Sequence, residues 1–144
     1  IRPLIAATNC KDTVPNYLVD GKYIAKQSRS TISNAMDVGN PSNFTRIKEL
    51  FNNDLPTLKG TLSSYAFTDE ETISAMQHVY KEYNYRMDPH GAVGYLGLEK
   101  IKLRDNDYGV FLETAHPIKF KNTVEKKAHY ISHYYDLKEY LIKQ

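Results

Sequence analysis

Tyr108-Gly-Val-Phe-Leu-Glu-Thr-Ala-His-Pro-Ile-Lys-Phe120 is a stretch in which an apolar run ends abruptly in polar residues. The run predicts a buried strand over residues 109–113, with Thr114, His116 and Lys119 just beyond its end. In open α/β sheets, ligands bind at the carboxyl ends of the strands. The stretch therefore predicts one wall of a site, and the alternative is that Thr-Ala-His-Pro is only the turn that ends a strand.

A second strand and several helices are predicted around this stretch. The short apolar run from Leu4 to Thr8 is typical of a strand in a parallel sheet, and a further short strand is possible at 22–24. Helices are predicted where a capping residue precedes apolar residues at helical spacing. They cover residues 12–19, 42–52, 68–84, a segment that opens at Asp88-Pro89-His90, 122–128 and 137–143. Helices that alternate with strands predict an α/β fold with a partial parallel sheet flanked by helices.

The helix that opens at Asp88 contains an unusual number of glycines. Gly91, Gly94 and Gly97 would each cost roughly 1 kcal/mol in a helix compared with alanine. We therefore expect another backbone or a ligand to approach this helix closely.

Length, charge and cysteine content exclude several classes of protein. The chain has 144 residues, enough for one domain with a core, and its formal net charge of +2 gives little support to binding of nucleic acid or a membrane surface. Cys10 is the only cysteine, so no internal disulfide can form, and a reducing, cytoplasmic setting is expected. Because the sequence starts at Ile1 within an apolar run and has no initiating Met, we expect a piece of a longer protein.

Four polar clusters lie at predicted element boundaries, and each of them could instead serve only as a helix cap or turn. They are residues 8–12, 37–43, 88–90 and 114–119. No metal site is predicted, because the histidines lack a ligand spacing such as His-Glu-x-x-His; His129 and His133 are four apart in a doubtful helix. Cys10 has no nucleophile signature around it, and no glycine-rich phosphate loop of either common type is present.

Four linked motifs carry a resemblance to a known family. They are Ile5-Ala-Ala-Thr-Asn-x-x-Asp-Thr-Val-Pro15, Ser33-Asn-Ala-Met-Asp-Val-Gly-Asn-Pro-Ser-Asn-Phe-Thr-Arg-Ile47, Asp88-Pro-His-Gly-Ala-Val-Gly94 and Leu112-Glu-Thr-Ala-His-Pro-Ile-Lys-Phe120. In order and spacing they resemble the threonine synthases, pyridoxal-phosphate enzymes of the tryptophan synthase β-like fold (fold type II). The resemblance covers nearly the whole chain, with one departure, since Lys11 stands where the family commonly has asparagine.

The resemblance implies that this chain is the carboxyl-terminal part of the catalytic domain. The lysine that forms the Schiff base and the loop that holds the cofactor phosphate would lie upstream, so no catalytic residue is expected in the chain. The implied reaction is that of a lyase in threonine biosynthesis, which converts O-phosphohomoserine and water to threonine and phosphate. The chain alone is expected to be inactive, and an interdomain face left exposed would make it self-associate.

The resemblance also suggests roles for individual side chains. Thr114 matches the hydroxyl that faces the pyridine nitrogen of the cofactor in such folds, and it is the expected cofactor-binding residue. Asp88 and His90 are expected to line the pocket, although capping is the alternative for Asp88. His116 and Lys119 would place positive charge near a phosphate.

Asn9 is also a candidate pocket residue, and its expected task is to shape the loops around the site.

Two rival functions remain. One is a non-catalytic interaction module that uses tyrosines near the end of the chain, namely Tyr130, Tyr134, Tyr135 and Tyr140. The other is a related pyridoxal-phosphate lyase or dehydratase.

Overall fold

The computed structural model describes residues 4–126, and its centre is a small parallel sheet. Strand β1 (Leu4–Thr8) pairs with strand β2 (Leu62–Ala66) in parallel, with Ala6 opposite Ser64. The prediction of β1 is confirmed at both ends. So is the predicted fold class, because helices flank this sheet.

The connection between the two strands contains three helices and one 3-10 turn. In chain order these are α1 (Thr13–Asp20), the turn Asn34–Met36, α2 (Asn43–Leu50) and α3 (Leu55–Thr61). The predicted helices at 12–19 and 42–52 are confirmed by α1 and α2, whereas α3 was not predicted. Their apolar faces form one core cluster, which consists of Val14, Tyr17, Leu18, Phe44 and Leu58.

Two longer helices follow β2 and build the second core cluster. Helix α4 (Asp69–Tyr83) begins at the predicted capping box, in which Thr68 and Glu71 each bond the other's backbone N–H. Helix α5 (Pro89–Glu99) begins after Asp88. These helices confirm the predictions at 68–84 and 88–90. The second core cluster consists of Ala75, Met76, Val79, Met87, Ala92 and Val124.

Helix α5 packs closely on the sheet, as its glycines predicted. A Cβ atom added to Gly97 would lie 2.8 Å from the Cβ atom of Ala7 in β1. That distance is shorter than two carbon atoms tolerate, so the absence of a side chain at Gly97 allows helix and strand to meet.

The strand predicted at 109–113 is wrong as far as the described residues go. Residues 108–114, which we call the extended segment, run alongside α5 and alternate between one packed and one exposed face, yet they pair with no strand in the 4–126 range. Val110 is 81% exposed and Leu112 is 75% exposed. An apolar run of this kind predicts an extended backbone, but a strand also needs a neighbour to bond it.

The second strand lies instead at β2, whose sequence Leu-Ser-Ser-Tyr-Ala is too polar to stand out as a buried strand. The possible strand at 22–24 is absent from the structure. The predicted side-chain cap at Asp12 is also wrong, because its carboxylate bonds the Lys26 ammonium instead. Ser42 precedes α2 without a side-chain cap bond.

The last two elements within the described residues are a 3-10 turn (Pro117–Phe120) and helix α6 (Lys121–Lys126). Helix α6 covers the beginning of the helix predicted at 122–128. The helix predicted at 137–143, the pair His129 and His133, and the tyrosines near the end of the chain lie outside the described residues. No helix within residues 4–126 is long and apolar enough to cross a membrane.

Candidate active site

A cleft of about 940 Å³ lies between β1, helix α5 and the extended segment. Ile5 and Ala7 of β1, Gly94 and Leu98 of α5, and Phe111 are among the residues that line it. Two of the predicted site residues, His90 and Thr114, also line this cleft. The structure therefore brings Thr114, the first polar residue after the apolar run, and the Gly-rich helix α5 to the same cavity.

Thr114 lies at the end of the extended segment, on its exposed face. The same face carries Val110 and Leu112, while Phe111 and Glu113 are packed against α5. The alternation of an extended backbone thus turns Glu113 toward the helix and leaves Thr114 at the cleft.

Asp88 and His90 form a buried hydrogen-bonded unit at the start of α5. Asp88 is 0% exposed and caps the helix, because its Oδ1 atom accepts from the His90 backbone N–H at 2.8 Å. The same Oδ1 atom lies 2.6 Å from Nδ1 of the His90 ring. The predicted capping alternative for Asp88 is confirmed, and its carboxylate has a second task in holding the ring.

The other nitrogen of the His90 ring fixes where the proton sits. Nε2 accepts a hydrogen bond from the Ala35 backbone N–H at 3.1 Å, so this nitrogen carries no hydrogen. We assign the ring proton to Nδ1, from which it is donated to Asp88. His90 therefore ties the Ser33-Asn-Ala-Met segment to the start of α5, and its ring also packs on Phe120 with centroids 4.7 Å apart.

Glu113 is the main site residue that the sequence did not reveal. Its Oε1 atom accepts from the Asp88 backbone N–H at 3.0 Å, and its carboxylate fills the space that a side chain at Gly91 would need. Burial, and then the hydrogen bond to the Asp88 side chain, raise the pKa of Glu113 to about 8. The only signal in the sequence was a charged residue inside an otherwise apolar run.

The pKa of Asp88 moves in the opposite direction. Burial alone would raise it, but hydrogen bonds from His90 and Glu113 outweigh burial and hold the pKa of Asp88 below its ordinary value. Two neighbouring carboxyl groups whose pKa values are pushed apart in this way lie in different surroundings and can take different roles.

The other predicted site residues do not line the cleft. His116 caps the Pro117–Phe120 turn, with Nδ1 accepting from the Ile118 N–H at 3.2 Å, and Lys119 is an exposed residue of that turn. Asn9 is 1% exposed and donates to Thr31 and to Asp37, both at 2.9 Å, so it holds the loop that leads into the 3-10 turn at 34–36. Within the described range, no group of three His, Cys, Asp or Glu side chains is placed to hold a metal ion.

Comparison with known proteins gives a consistent family. No protein-family model matches the chain. The threonine synthase of Escherichia coli is 45% identical over 125 residues, which cover 87% of this chain and 28% of that protein. The threonine synthase of Buchnera aphidicola from Acyrthosiphon pisum is 46% identical over 130 residues, which cover 88% of this chain and 29% of that protein.

Solved structures agree with these sequence matches. The crystal structure of threonine synthase from Escherichia coli superimposes with a TM-score of 0.83 at 42% identity, covering 94% of this chain and 31% of that one. Threonine synthase from yeast superimposes with a TM-score of 0.80 at 27% identity, covering 96% of this chain and 35% of that one. The pyridoxal-phosphate-bound threonine synthase from Brucella melitensis superimposes with a TM-score of 0.72 at 27% identity, covering 88% of this chain and 32% of that one. The resemblance to the threonine synthase family is thus confirmed, for a chain that spans about three-tenths of the length of the curated relatives it matches.

Proposed function

We propose that this chain is the carboxyl-terminal part of a threonine synthase, which converts O-phosphohomoserine and water to threonine and phosphate with pyridoxal phosphate as cofactor. The observation that carries the proposal is the 45% identity to the Escherichia coli enzyme over 87% of the chain. The proposed enzyme is a lyase of threonine biosynthesis in the cytoplasm. Neither rival function has a specific observation in its favour.

The cleft has the chemistry that the cofactor needs from this part of the protein. Its apolar lining, which includes Ile5, Leu98 and Phe111, suits the flat face of a pyridine ring, and Thr114 supplies a hydroxyl at the end of the extended segment. Bound pyridoxal phosphate would act as the electron sink that stabilises negative charge on the substrate carbons. In our proposal the Thr114 hydroxyl meets the pyridine nitrogen and orients the ring.

A hydroxyl partner tunes the cofactor differently from a carboxylate. Because Thr114 is neutral, it does not force a proton onto the pyridine nitrogen, as an aspartate would. Two carboxyl groups lie nearby, but neither Asp88 nor Glu113 lines the cleft, and Glu113 accepts a hydrogen bond from the Asp88 backbone N–H. This arrangement fits a cofactor whose ring nitrogen keeps a neutral partner.

The remaining parts of the site are assigned by the same proposal. The Schiff-base lysine and the phosphate-binding loop would come from the part of the enzyme that precedes this chain, so the chain alone should neither bind the cofactor covalently nor turn over substrate. The exposed Lys119 and His116 follow Thr114 on the next turn. Neither residue lines the cleft, and we propose that Lys119 presents a positive charge, and His116 a hydrogen-bond donor at Nε2, toward a substrate phosphate at its edge.

Replacement of Thr114 tests the assignment. In the intact enzyme, Thr114→Ala should weaken pyridoxal-phosphate binding by about two- to twelvefold, because one neutral hydrogen bond is worth about 0.5–1.5 kcal/mol. Thr114→Ser keeps the hydroxyl and should recover most of the affinity. Cofactor affinity is measured by fluorescence titration, and phosphate release from O-phosphohomoserine is measured beside it. An intact enzyme that releases no phosphate from this substrate would contradict the function, and unchanged affinity in Thr114→Ala would contradict the site.

The exposed apolar face of the extended segment supports a second expectation. Tyr108, Val110 and Leu112 are 95%, 81% and 75% exposed, and together they form a strip that soluble monomers seldom leave uncovered. We expect the isolated 144-residue chain to self-associate through this strip, and Val110→Lys with Leu112→Lys to reduce the association. Light scattering over a concentration series measures it. A strict monomer at the highest concentration would contradict the expectation.

A further inference from the structure

We propose that Asp88 and Glu113 share a single proton, and that this acid–carboxylate pair is the positioning device that holds Thr114 in the wall of the cleft. The inference rests on the proposed function, because it gives Thr114 its task. It concerns two residues that do not touch the cofactor themselves. They would act through the backbone of the extended segment.

The first argument is that the pair contains two buried oxygen atoms without a donor. Asp88 Oδ2 and Glu113 Oε2 are both shielded from solvent and have no hydrogen-bond partner when both groups are treated as carboxylates. Each unsatisfied buried acceptor costs about 1–3 kcal/mol, and the charge of Asp88 also raises the pKa of Glu113, because two neighbouring carboxylates repel each other. One proton between the two atoms removes both penalties.

The second argument is that no other residue within the 4–126 range donates a proton to these two oxygen atoms. Asp88 Oδ1 already accepts from the backbone N–H and the ring Nδ1–H of His90. His90 has no second ring proton to offer, because its Nε2 accepts from Ala35. The pKa of Tyr85 is raised by burial and by the charges of Glu113 and Asp88, so Tyr85 keeps its phenol proton, but its hydroxyl bonds neither Asp88 Oδ2 nor Glu113 Oε2. The shared proton must therefore come from one of the two carboxyl groups.

The third argument is that the pair is the polar anchor of the extended segment. Within residues 4–126, no backbone hydrogen bond ties residues 108–114 to the sheet or to α5. Their other contacts with α5 are apolar, since Phe111 packs over Gly94, where an added Cβ atom would lie 3.5 Å from the Phe111 Cβ atom, and Gly109 packs against Leu98. Apolar contacts fix the distance between segment and helix but tolerate sliding along the helix. The Asp88 N–H bond to Glu113 Oε1 and the shared proton fix the register, and Thr114 is the next residue.

Gly91 makes this anchor possible. A Cβ atom at Gly91 would lie 2.0 Å from Glu113 Oε2, so any larger residue would expel the carboxyl group from its place above the first turn of α5. Gly91, three residues after Asp88, therefore leaves the space that the Glu113 carboxyl group occupies.

The test uses the intact enzyme with Glu113→Ala and Glu113→Gln, and it measures affinity for pyridoxal phosphate against pH. Glu113→Ala should weaken binding about as much as Thr114→Ala does, and the double variant should be no weaker than either single one, since Glu113 acts through Thr114. Glutamine copies the protonated acid, because its oxygen accepts from the Asp88 N–H and its amide donates to Asp88 Oδ2. Glu113→Gln should therefore recover the affinity at pH 7. Above pH 8 it should bind more tightly than the wild type, in which Glu113 ionises.

If Glu113 had a purely structural role, the cofactor affinities of the wild type and of Glu113→Gln would depend on pH in the same way, and that result would overturn the inference. Wild-type affinity in Glu113→Ala would overturn it as well. The outcome is separable from a failure of the proposed function, because carbon-13 NMR of the glutamate carboxyl groups reports the pair without any cofactor. A resonance that titrates near pH 8 and disappears in Glu113→Gln supports the shared proton, and its absence rejects it.

Discussion

Asp88→Ala is expected to destabilise the protein by about 3–5 kcal/mol, one of the largest effects of any single replacement in this chain. The change removes the cap of α5, worth about 0.5–2 kcal/mol, and the acceptor that holds the His90 ring. It also removes the acceptor of the proton that Glu113 carries, although Glu113 Oε1 keeps its bond from the backbone N–H of residue 88, and an unsatisfied buried polar group costs about 1–3 kcal/mol.

Hydrogen–deuterium exchange of the intact enzyme measures this loss locally. Exchange in peptides from α5 should rise sharply in Asp88→Ala, whereas peptides from α4 provide an internal reference. Asp88→Asn is the matched control, because its oxygen can still accept from His90 and its amide can donate to Glu113. We expect Asp88→Asn to retain most of the protection. Equal loss in both variants would show that charge, rather than the hydrogen-bond pattern, holds the start of the helix.

The helices could be predicted from the sequence because their signals are local. Thr68 and Glu71 lie three residues apart and bond each other's backbone, and Asp88-Pro89 caps α5 in the same local way. Strands depend on a distant partner. Leu62–Ala66 became a strand because β1 lies beside it, while residues 109–113 have the stronger apolar pattern and no partner in the described range.

The candidate site was predictable to a similar extent. The position of Thr114 after an apolar run and the position of His90 in the Gly-rich helix pointed to the residues that line the cleft. Glu113 could not be found in this way, because its role depends on the space above Gly91, which lies twenty-two positions earlier in the chain. A sequence pattern does not show which distant glycine leaves room for a carboxyl group.

The Asp88–Glu113 pair should also make stability depend on pH in a particular direction. The pKa of Glu113 is raised from 4.5 to about 8, so the folded protein keeps a proton that the unfolded chain releases in this interval. The stabilisation from protonated Glu113 is complete below pH 4.5 and is lost as the pH rises through about 8. The lowered pKa of Asp88 acts at the other end, because its stabilisation is lost as the pH falls below the ordinary range of an aspartate.

Glu113→Gln should abolish the decline in stability between pH 4.5 and 8, since glutamine stays neutral. Glu113 is only partly buried, so we allow for solvent screening and expect a difference of about 1–3 kcal/mol across the interval. Thermal unfolding midpoints of the intact enzyme, measured against pH, provide the test. Glu125→Gln serves as the control, because it removes a carboxyl group that pairs with Lys121 at 3.9 Å on the surface of α6.

The two curves should cross, and the crossing distinguishes a shared proton from simple loss of packing. Below the crossing the wild-type acid is at least as good a hydrogen-bond donor as the amide. Above it the unfolded wild-type chain is favoured, because it releases the Glu113 proton that the folded pair holds until about pH 8. A variant that is less stable than the wild type by the same amount at every pH would indicate that Glu113 only fills space. Curves that cross between pH 4.5 and about 8 and run parallel above pH 8 require a proton that the folded protein holds on Glu113 up to about pH 8.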